Sequence, residues 1–228
     1  DKFQERLEAL PGIGDAEFTT YTVDRPDQHL TNKWIVNNTK GHTAVTAAAA
    51  LEQLHQCILQ KNKPFYMTVY LTNMTEEHFS AYLALAPPPK VITGFLRRRV
   101  YLFVSWAPRG AMVILRPHTD SGSGPLVYAF GTDGGRTTAA LKGPARAETT
   151  TDAGLDHAFD IFLGDREATV DTDVNYVTLS RSGDYVYIPA KYWHTVGSEG
   201  ARVCVTYFDN SVDCLLYTSD AADESSSV

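Results

Sequence analysis

The chain has 228 residues, of which 43% are hydrophobic and 11% aromatic, and its net charge is −7. This size and composition fit one globular domain with a sizeable core and exclude an intrinsically disordered chain. A nucleic-acid partner is not expected, because residues 96–99 form the only tight basic cluster in the sequence. No apolar run is long enough to span a bilayer, so no membrane partner is expected either.

Three cysteines are too few for a disulfide framework. They are Cys57, Cys204 and Cys214. A sparse, odd set of this kind favours a reducing compartment, so the chain is predicted to be intracellular, either cytoplasmic or nuclear.

Residues 1–99 are predicted to mix helices with short strands and to pack on a barrel formed by the rest of the chain. Helical spacing of apolar residues predicts helices at Lys2–Leu10, Thr43–Lys61 and Thr75–Leu85. Runs of β-branched and aromatic residues predict strands at Glu17–Val23, Lys33–Val36 and Phe65–Leu71.

Residues 100–212 change to short strands separated by turn signals. The predicted strands are Val100–Trp106, Ala111–Leu115, Leu126–Phe130, Arg136–Leu141, Ala158–Phe162, Asn175–Ser180, Asp184–Pro189 and Arg202–Phe208. Residues 142–156 are rich in Thr, Ala and Gly and are predicted to form a loop. The pattern predicts a mainly β fold, a jelly roll in the form of a double-stranded β-helix, with a helical N-terminal region.

Residues 213–228 are predicted to be a non-native tail. The stretch from Cys214 to Glu224 resembles an in-frame translation of a transposase-type sequencing adapter. We therefore leave this tail out of the fold prediction, as is done for other engineered scars.

Two short motifs carry candidate metal ligands. One contains His118 and Asp120, and the other ends at His194, 76 positions after the first histidine. Alternate residues of a strand face the same way, so His118 and Asp120 share a side. Pro117 cannot donate a ladder hydrogen bond and favours a strand end or edge. Two imidazoles and one carboxylate form the ligand set that holds non-haem Fe(II), and they converge only if the sheet closes on itself.

The run from Gly183 to His194 resembles the second signature of the cupin superfamily: a glycine, five residues, Pro189, and a histidine five positions later. It is most similar to the JmjC and cupin-like hydroxylases, and His118-x-Asp120 resembles the first half of their metal triad. The resemblance implies Fe(II) held by His118, Asp120 and His194. It also implies 2-oxoglutarate as co-substrate and O2 as oxidant. Hydroxylation of a protein or peptide side chain is the favoured reaction, ahead of demethylation of chromatin, because the chain is acidic.

The sequence departs from this family where a lysine usually anchors 2-oxoglutarate, somewhat under twenty positions after the first histidine. Arg136 and Thr137 stand in that region, and strand alternation lets only one of them point inward. Arg136 would bind a carboxylate bidentately. The other candidates for the co-substrate are Lys142 and Thr206. Two alternatives stay open: a cupin metalloenzyme that does not use 2-oxoglutarate, and a non-catalytic JmjC-like binding module.

Overall fold

The computed structural model describes residues 2–25, 32–61, 63–90, 96–120, 125–130, 135–144, 174–189 and 191–209. Within these ranges the chain is mainly β, with one curled, mixed sheet of eleven strands and few helices. The predicted strand Ala158–Phe162, most of the predicted loop and the predicted tail lie outside the described residues. No helix in the described ranges is long and apolar enough to cross a membrane.

Four helical elements lie wholly within the described ranges, all of them before residue 86. They are α1 (Lys2–Glu8), a 3-10 turn (Ile13–Asp15), α2 (Ala47–Gln60) and α3 (Glu76–Leu85). The strands are β1 (Glu17–Asp24), β2 (Lys33–Val45), β3 (Phe65–Leu71), β4 (Leu96–Trp106), β5 (Met112–His118), β6 (Pro125–Phe130), β7 (Arg136–Pro144), β8 (Asn175–Leu179), β9 (Tyr185–Tyr187), β10 (Tyr192–Glu199) and β11 (Arg202–Asp209).

The strand order is β8-β7-β10-β5-β2-β1-β3-β4-β11-β6-β9. Strands β2 and β5 pair in parallel, and the other neighbouring strands pair antiparallel. Because β1, β2 and β3 lie in the middle of this order, the N-terminal residues form part of the sheet itself. The predicted boundary at residue 99 falls inside β4.

The sheet curls until its two ends touch. Leu179 of β8 and Val186 of β9 pack in one hydrophobic cluster, although these strands stand at opposite ends of the strand order. The Arg202 guanidinium on β11 also reaches across and donates a hydrogen bond to the Leu179 carbonyl. The concave face of the sheet therefore encloses an interior.

The largest hydrophobic cluster lies on the convex face, between the sheet and the helices. Leu102 of β4 is fully buried there together with Leu54 of α2 and Tyr82 of α3. Full burial of a leucine or valine side chain contributes roughly 1.5–3 kcal/mol, so this outer cluster stabilises the fold. Phe103 and Ser105, which alternate with Leu102 along β4, face the interior instead.

Threonine caps begin two of the helices. The Thr75 hydroxyl accepts a hydrogen bond from the His78 amide, which confirms the predicted start of α3. The Thr46 hydroxyl caps α2 in the same way, so the cap lies three residues after the predicted Thr43 and the helix begins at Ala47. The difference arises because β2 continues to Val45, which pairs with Phe18 of β1.

Several strands differ from the sequence prediction, among them β2, which runs to Val45 instead of Val36, and β4, which begins at Leu96 instead of Val100. β5 continues through Pro117 to His118, where it meets β10. β7 runs to Pro144, into the predicted loop, because that residue pairs with Tyr192. β10 itself was not predicted, since Gly197 and the small polar residues around it lack the alternation typical of a half-buried strand.

Gly135 provides a test of the close approach between the start of β7 and the β10–β11 turn. A Cβ at Gly135 would lie 2.5 Å from the Glu199 carbonyl oxygen and 3.0 Å from that of Ala201. Backbone atoms cannot move far enough to relieve this clash. We therefore expect Gly135→Ala to lower the free energy of unfolding, measured by urea denaturation, by about 1–3 kcal/mol. Gly14→Ala is the matched control, because nothing lies within 4 Å of a Cβ there. Equal stability of the two variants would contradict this packing.

Candidate metal centre

The curled sheet brings the two predicted motifs together. His194 of β10 is the register partner of His118 of β5, and the centroids of the two rings are 4.2 Å apart. Asp120 follows the end of β5, and its Oδ2 lies 3.5 Å from Nε2 of His194. One ligand atom from each of the three residues lies within 4.8 Å of the other two. The three side chains form a group that could hold a metal ion.

Backbone carbonyls orient both imidazoles. Nδ1 of His118 lies 2.7 Å from the Arg116 oxygen, and Nδ1 of His194 lies 3.1 Å from the Tyr192 oxygen. A carbonyl oxygen only accepts, so each Nδ1 carries the hydrogen and each Nε2 keeps its lone pair. Hydrogen bonds of this kind are the usual means of fixing a metal-binding imidazole in one tautomer.

Burial shifts the pKa of two of the three residues, His194 and Asp120. Desolvation, followed by the charge of His118, lowers the pKa of His194 to about 3, while the hydrogen bond to the Tyr192 carbonyl acts in the opposite direction. Desolvation raises the pKa of Asp120, and His118 opposes that shift. His194 is therefore in its neutral, ligating form at neutral pH, and a divalent cation would stabilise the Asp120 carboxylate. The donor set fits a metal that accepts mixed nitrogen and oxygen ligands.

The triad opens into a chamber of about 110 Å³ inside the curled sheet. A single water needs roughly 10–15 Å³, so the chamber has room for a small molecule of several heavy atoms. His194 and Ser198 both line the chamber and lie four residues apart on β10, or ~13 Å along the strand. The chamber thus extends from the metal ligands down the inner face of β10.

We call the residues at its far end the floor: Ser105, Thr137, Ser198 and Cys204, which all line the chamber. The Thr137 and Ser198 hydroxyl oxygens are 3.2 Å apart, and Thr137 also hydrogen-bonds to the Cys204 thiol. Burial raises the pKa of that thiol. The floor is therefore polar but carries no anion.

Arg202 lies directly beyond the floor. It is fully buried on β11, on the same face as Cys204, and its register partner on β4 is Ser105. Its Nη2 donates to the Leu179 carbonyl, but Nε and Nη1 have no hydrogen-bond partner among the described residues. Burial lowers the pKa of this guanidinium, and the charges of Cys204 and Asp184 oppose that shift. A buried cation with unused donors is costly unless an anion pairs with it.

The predicted co-substrate residues are placed differently from one another. Thr137 points into the chamber. Arg136 is exposed on the opposite face, where its Nε and Nη2 bind the Glu199 carboxylate at 2.9 and 2.7 Å. The Thr206 hydroxyl is buried without a partner in the described ranges, and Thr206 is not among the described lining residues. The side chain of Lys142 lies outside the described residues.

Sequence reasoning missed Arg202, although a signal for it was present. Along β11 the polar residues Arg202, Cys204 and Thr206 alternate with Val203 and Val205. This alternation puts Arg202 on the inner face of β11, the same face as the predicted co-substrate residue Thr206.

The comparisons with known proteins add little to this geometry. No family model matches the chain, and no curated protein matches its sequence. Among solved structures the chain is similar to the L-ribose isomerase of Cellulomonas parahominis, determined with L-psicose, at a TM-score of 0.35 and 14% identity. The alignment covers 64% of this chain and 61% of the isomerase, so the chain spans about three fifths of that protein.

Metal binding is tested by removing one ligand at a time. We expect isothermal titration calorimetry to show one Mn²⁺ bound per chain. His194→Ala should lower the Mn²⁺ affinity by about 100-fold or more, because removing a metal ligand costs more affinity than removing a residue that only hydrogen-bonds to a ligand. Asp120→Asn should also weaken binding while preserving the side-chain volume. His55→Ala, on α2, is the control and should bind normally. Unchanged affinity in both ligand variants would contradict a metal site at the triad.

Proposed function

We propose that the chain is an Fe(II)- and 2-oxoglutarate-dependent oxygenase of the JmjC or cupin-like kind, with a double-stranded β-helix core, that hydroxylates a protein or peptide side chain. The observation that carries this proposal is that the His118, Asp120 and His194 triad lies at one end of a small chamber, while Arg202, which does not itself line the chamber, holds a partly unpaired guanidinium behind the floor at the other end. A triad of this kind leaves three metal positions open, at which bound Fe(II) supplies the chemistry that activates O2.

The residues beyond the triad suit a short dicarboxylate. One carboxylate would lie at the metal end, and the other would reach the floor, where the Thr137 and Ser198 hydroxyls face the chamber. Arg202, behind the floor, supplies two nitrogens whose N–H groups are unused, Nε and Nη1, and a positive charge. Hydrogen bonds between charged partners in a dry site are among the strongest in proteins, so the distal carboxylate would hold the co-substrate in one orientation.

The chamber walls support the same use. Phe103, Leu115, Ile188 and Val196 line it with apolar surface, which limits water around the metal end. Tyr66 also lines the chamber, and its pKa is raised well above the usual value by burial and then by Tyr21, Cys204 and Asp120. Its hydroxyl therefore stays protonated and can donate a hydrogen bond to a bound carboxylate.

Arg202 also separates this proposal from its two alternatives. A cupin metalloenzyme that does not use 2-oxoglutarate needs the triad but not the cation beyond the floor. A non-catalytic binding module needs neither turnover nor a co-substrate. The discriminating observation is therefore whether the metal-loaded chain binds and consumes 2-oxoglutarate through Arg202.

Arg202→Met and Arg136→Met form a matched pair for this test. Loss of a charge-assisted pair costs about 1.5–3 kcal/mol, so Arg202→Met should weaken 2-oxoglutarate binding to the Mn²⁺-loaded chain by about 10- to 100-fold. Arg136→Met should bind normally, because Arg136 contacts Glu199 outside the chamber. Calorimetry measures both affinities without the need for the peptide substrate, and Fe²⁺-dependent succinate formation measures turnover.

The outcomes separate the oxygenase from its two alternatives. Tight 2-oxoglutarate binding that depends on Arg202, together with succinate formation, supports the oxygenase. Metal binding without 2-oxoglutarate binding or succinate formation favours the cupin metalloenzyme or the binding module. If the two arginine variants lose 2-oxoglutarate affinity to the same extent, Arg202 is not the residue that anchors the co-substrate.

A further inference from the structure

A second cavity, of about 370 Å³, adjoins the chamber and shares Phe103 and Asp120 with it. We call it the outer cleft. Its other lining residues are Tyr21, Thr68, Arg99, Tyr101 and Phe208. Because Asp120 lines both spaces, a ligand in the outer cleft would lie next to the metal ligands.

Strand β4 connects the two spaces. Residues Arg99, Tyr101, Phe103 and Ser105 alternate along β4 and therefore share its inner face. Ser105 lines the chamber, Phe103 lines both spaces, and Tyr101 and Arg99 line the outer cleft. Phe103 and Arg99 lie four positions apart, or ~13 Å along the strand. The cleft therefore leads from the metal end outward to an arginine.

The walls of the outer cleft are aromatic and held by their neighbours. The ring of Tyr101 stacks on Tyr70 at 4.4 Å and meets the edge of Phe208 at 5.0 Å. On the neighbouring strands β1 and β3, the Tyr21 hydroxyl lies 3.4 Å from that of Thr68, whose register partner on β4 is Phe103. Rigid aromatic walls of this kind favour a flat or apolar group.

Arg99 gives the cleft a positive outer end. Its side chain is exposed, and no described carboxylate lies within ion-pair distance of it. Burial raises the pKa of the Tyr101 hydroxyl, Tyr70 adds to that shift, and the charge of Arg99 opposes it. In the proposed function Asp120 is engaged by the metal, so the remaining charge in the lining of the cleft favours an anion.

We propose that the outer cleft binds the substrate, and that this substrate is a peptide in which an apolar or aromatic residue is adjacent to an acidic one. The apolar side chain would lie along Tyr101 and Phe103 toward the metal end, and the carboxylate would pair with Arg99. Two adjacent residues with extended side chains cover the span between these points. The assignment of hydroxylation to this peptide rests on the proposed function, but its binding does not.

The test compares two probes that differ only in charge, acetyl-Phe-Glu-amide and acetyl-Phe-Gln-amide. We expect the wild-type chain to bind the acidic probe about tenfold more tightly, measured by ligand-observed NMR titration at low salt. The net charge of −7 disfavours non-specific binding of the acidic probe, so a preference for it reports a local site. Arg99→Gln should abolish the preference and leave binding of the neutral probe unchanged.

Two further variants complete the experiment. Arg109→Gln, at an exposed position in the turn after β4, is the matched control and should keep the preference. Tyr101→Leu should weaken the binding of both probes equally, because it removes an aromatic wall but no charge. A wild-type chain without any preference, or a preference that survives Arg99→Gln, would overturn the inference.

Calorimetry with 2-oxoglutarate on the same samples separates the two proposals. Normal Arg202-dependent 2-oxoglutarate binding without a probe preference would overturn the outer cleft inference and leave the proposed function intact. A preference that depends on Arg99 in a chain that binds no 2-oxoglutarate would support the cleft as a peptide site and contradict the oxygenase.

Discussion

The candidate site depends on the antiparallel pairing of β5 with β10. This pairing sets His194 opposite His118, and a slip of one residue would turn His194 to the other face of the sheet. The register is irregular between His194 and Val196, at the point where the fully buried Thr195 donates a hydrogen bond of 2.6 Å to the Leu115 carbonyl. That bond crosses between the two strands and fixes the bulge beside the metal ligands. The same register carries Ser198 to the floor, so it determines both ends of the chamber.

The two ends of the chamber lie next to groups of opposite charge. Asp120 brings a partly buried carboxylate to one end, and Arg202 brings a buried guanidinium beyond the other. Each charge is costly without a partner, and the chamber and its floor lie between them. A metal cation with a bridging dicarboxylate would satisfy both at once. The exposed Arg136, paired with Glu199, has no comparable need, which is why we assign the anchoring role to Arg202.

The sequence predicted the parts of this molecule whose signal is local. The bounds of β3 and the start of α3 at Thr75 follow from β-branched and capping residues within a few positions. The ligand pair His118 and Asp120 is local in the same sense. β10 escaped prediction because its small and polar residues form a strand only through pairing with β5 and β7. The alternation along β11 indicates the face on which Arg202 lies but not its burial. That burial depends on how far the sheet curls, which no single segment encodes.

The most direct test is a crystal structure of the chain prepared without oxygen and with Mn²⁺ and 2-oxoglutarate. The geometry predicts one ion bound by Nε2 of His118, Nε2 of His194 and the Asp120 carboxylate, with the distal carboxylate of 2-oxoglutarate paired with Arg202. An ion bound by other residues, or 2-oxoglutarate bound outside the chamber, would contradict the central claim that the two ends of this chamber act as one site.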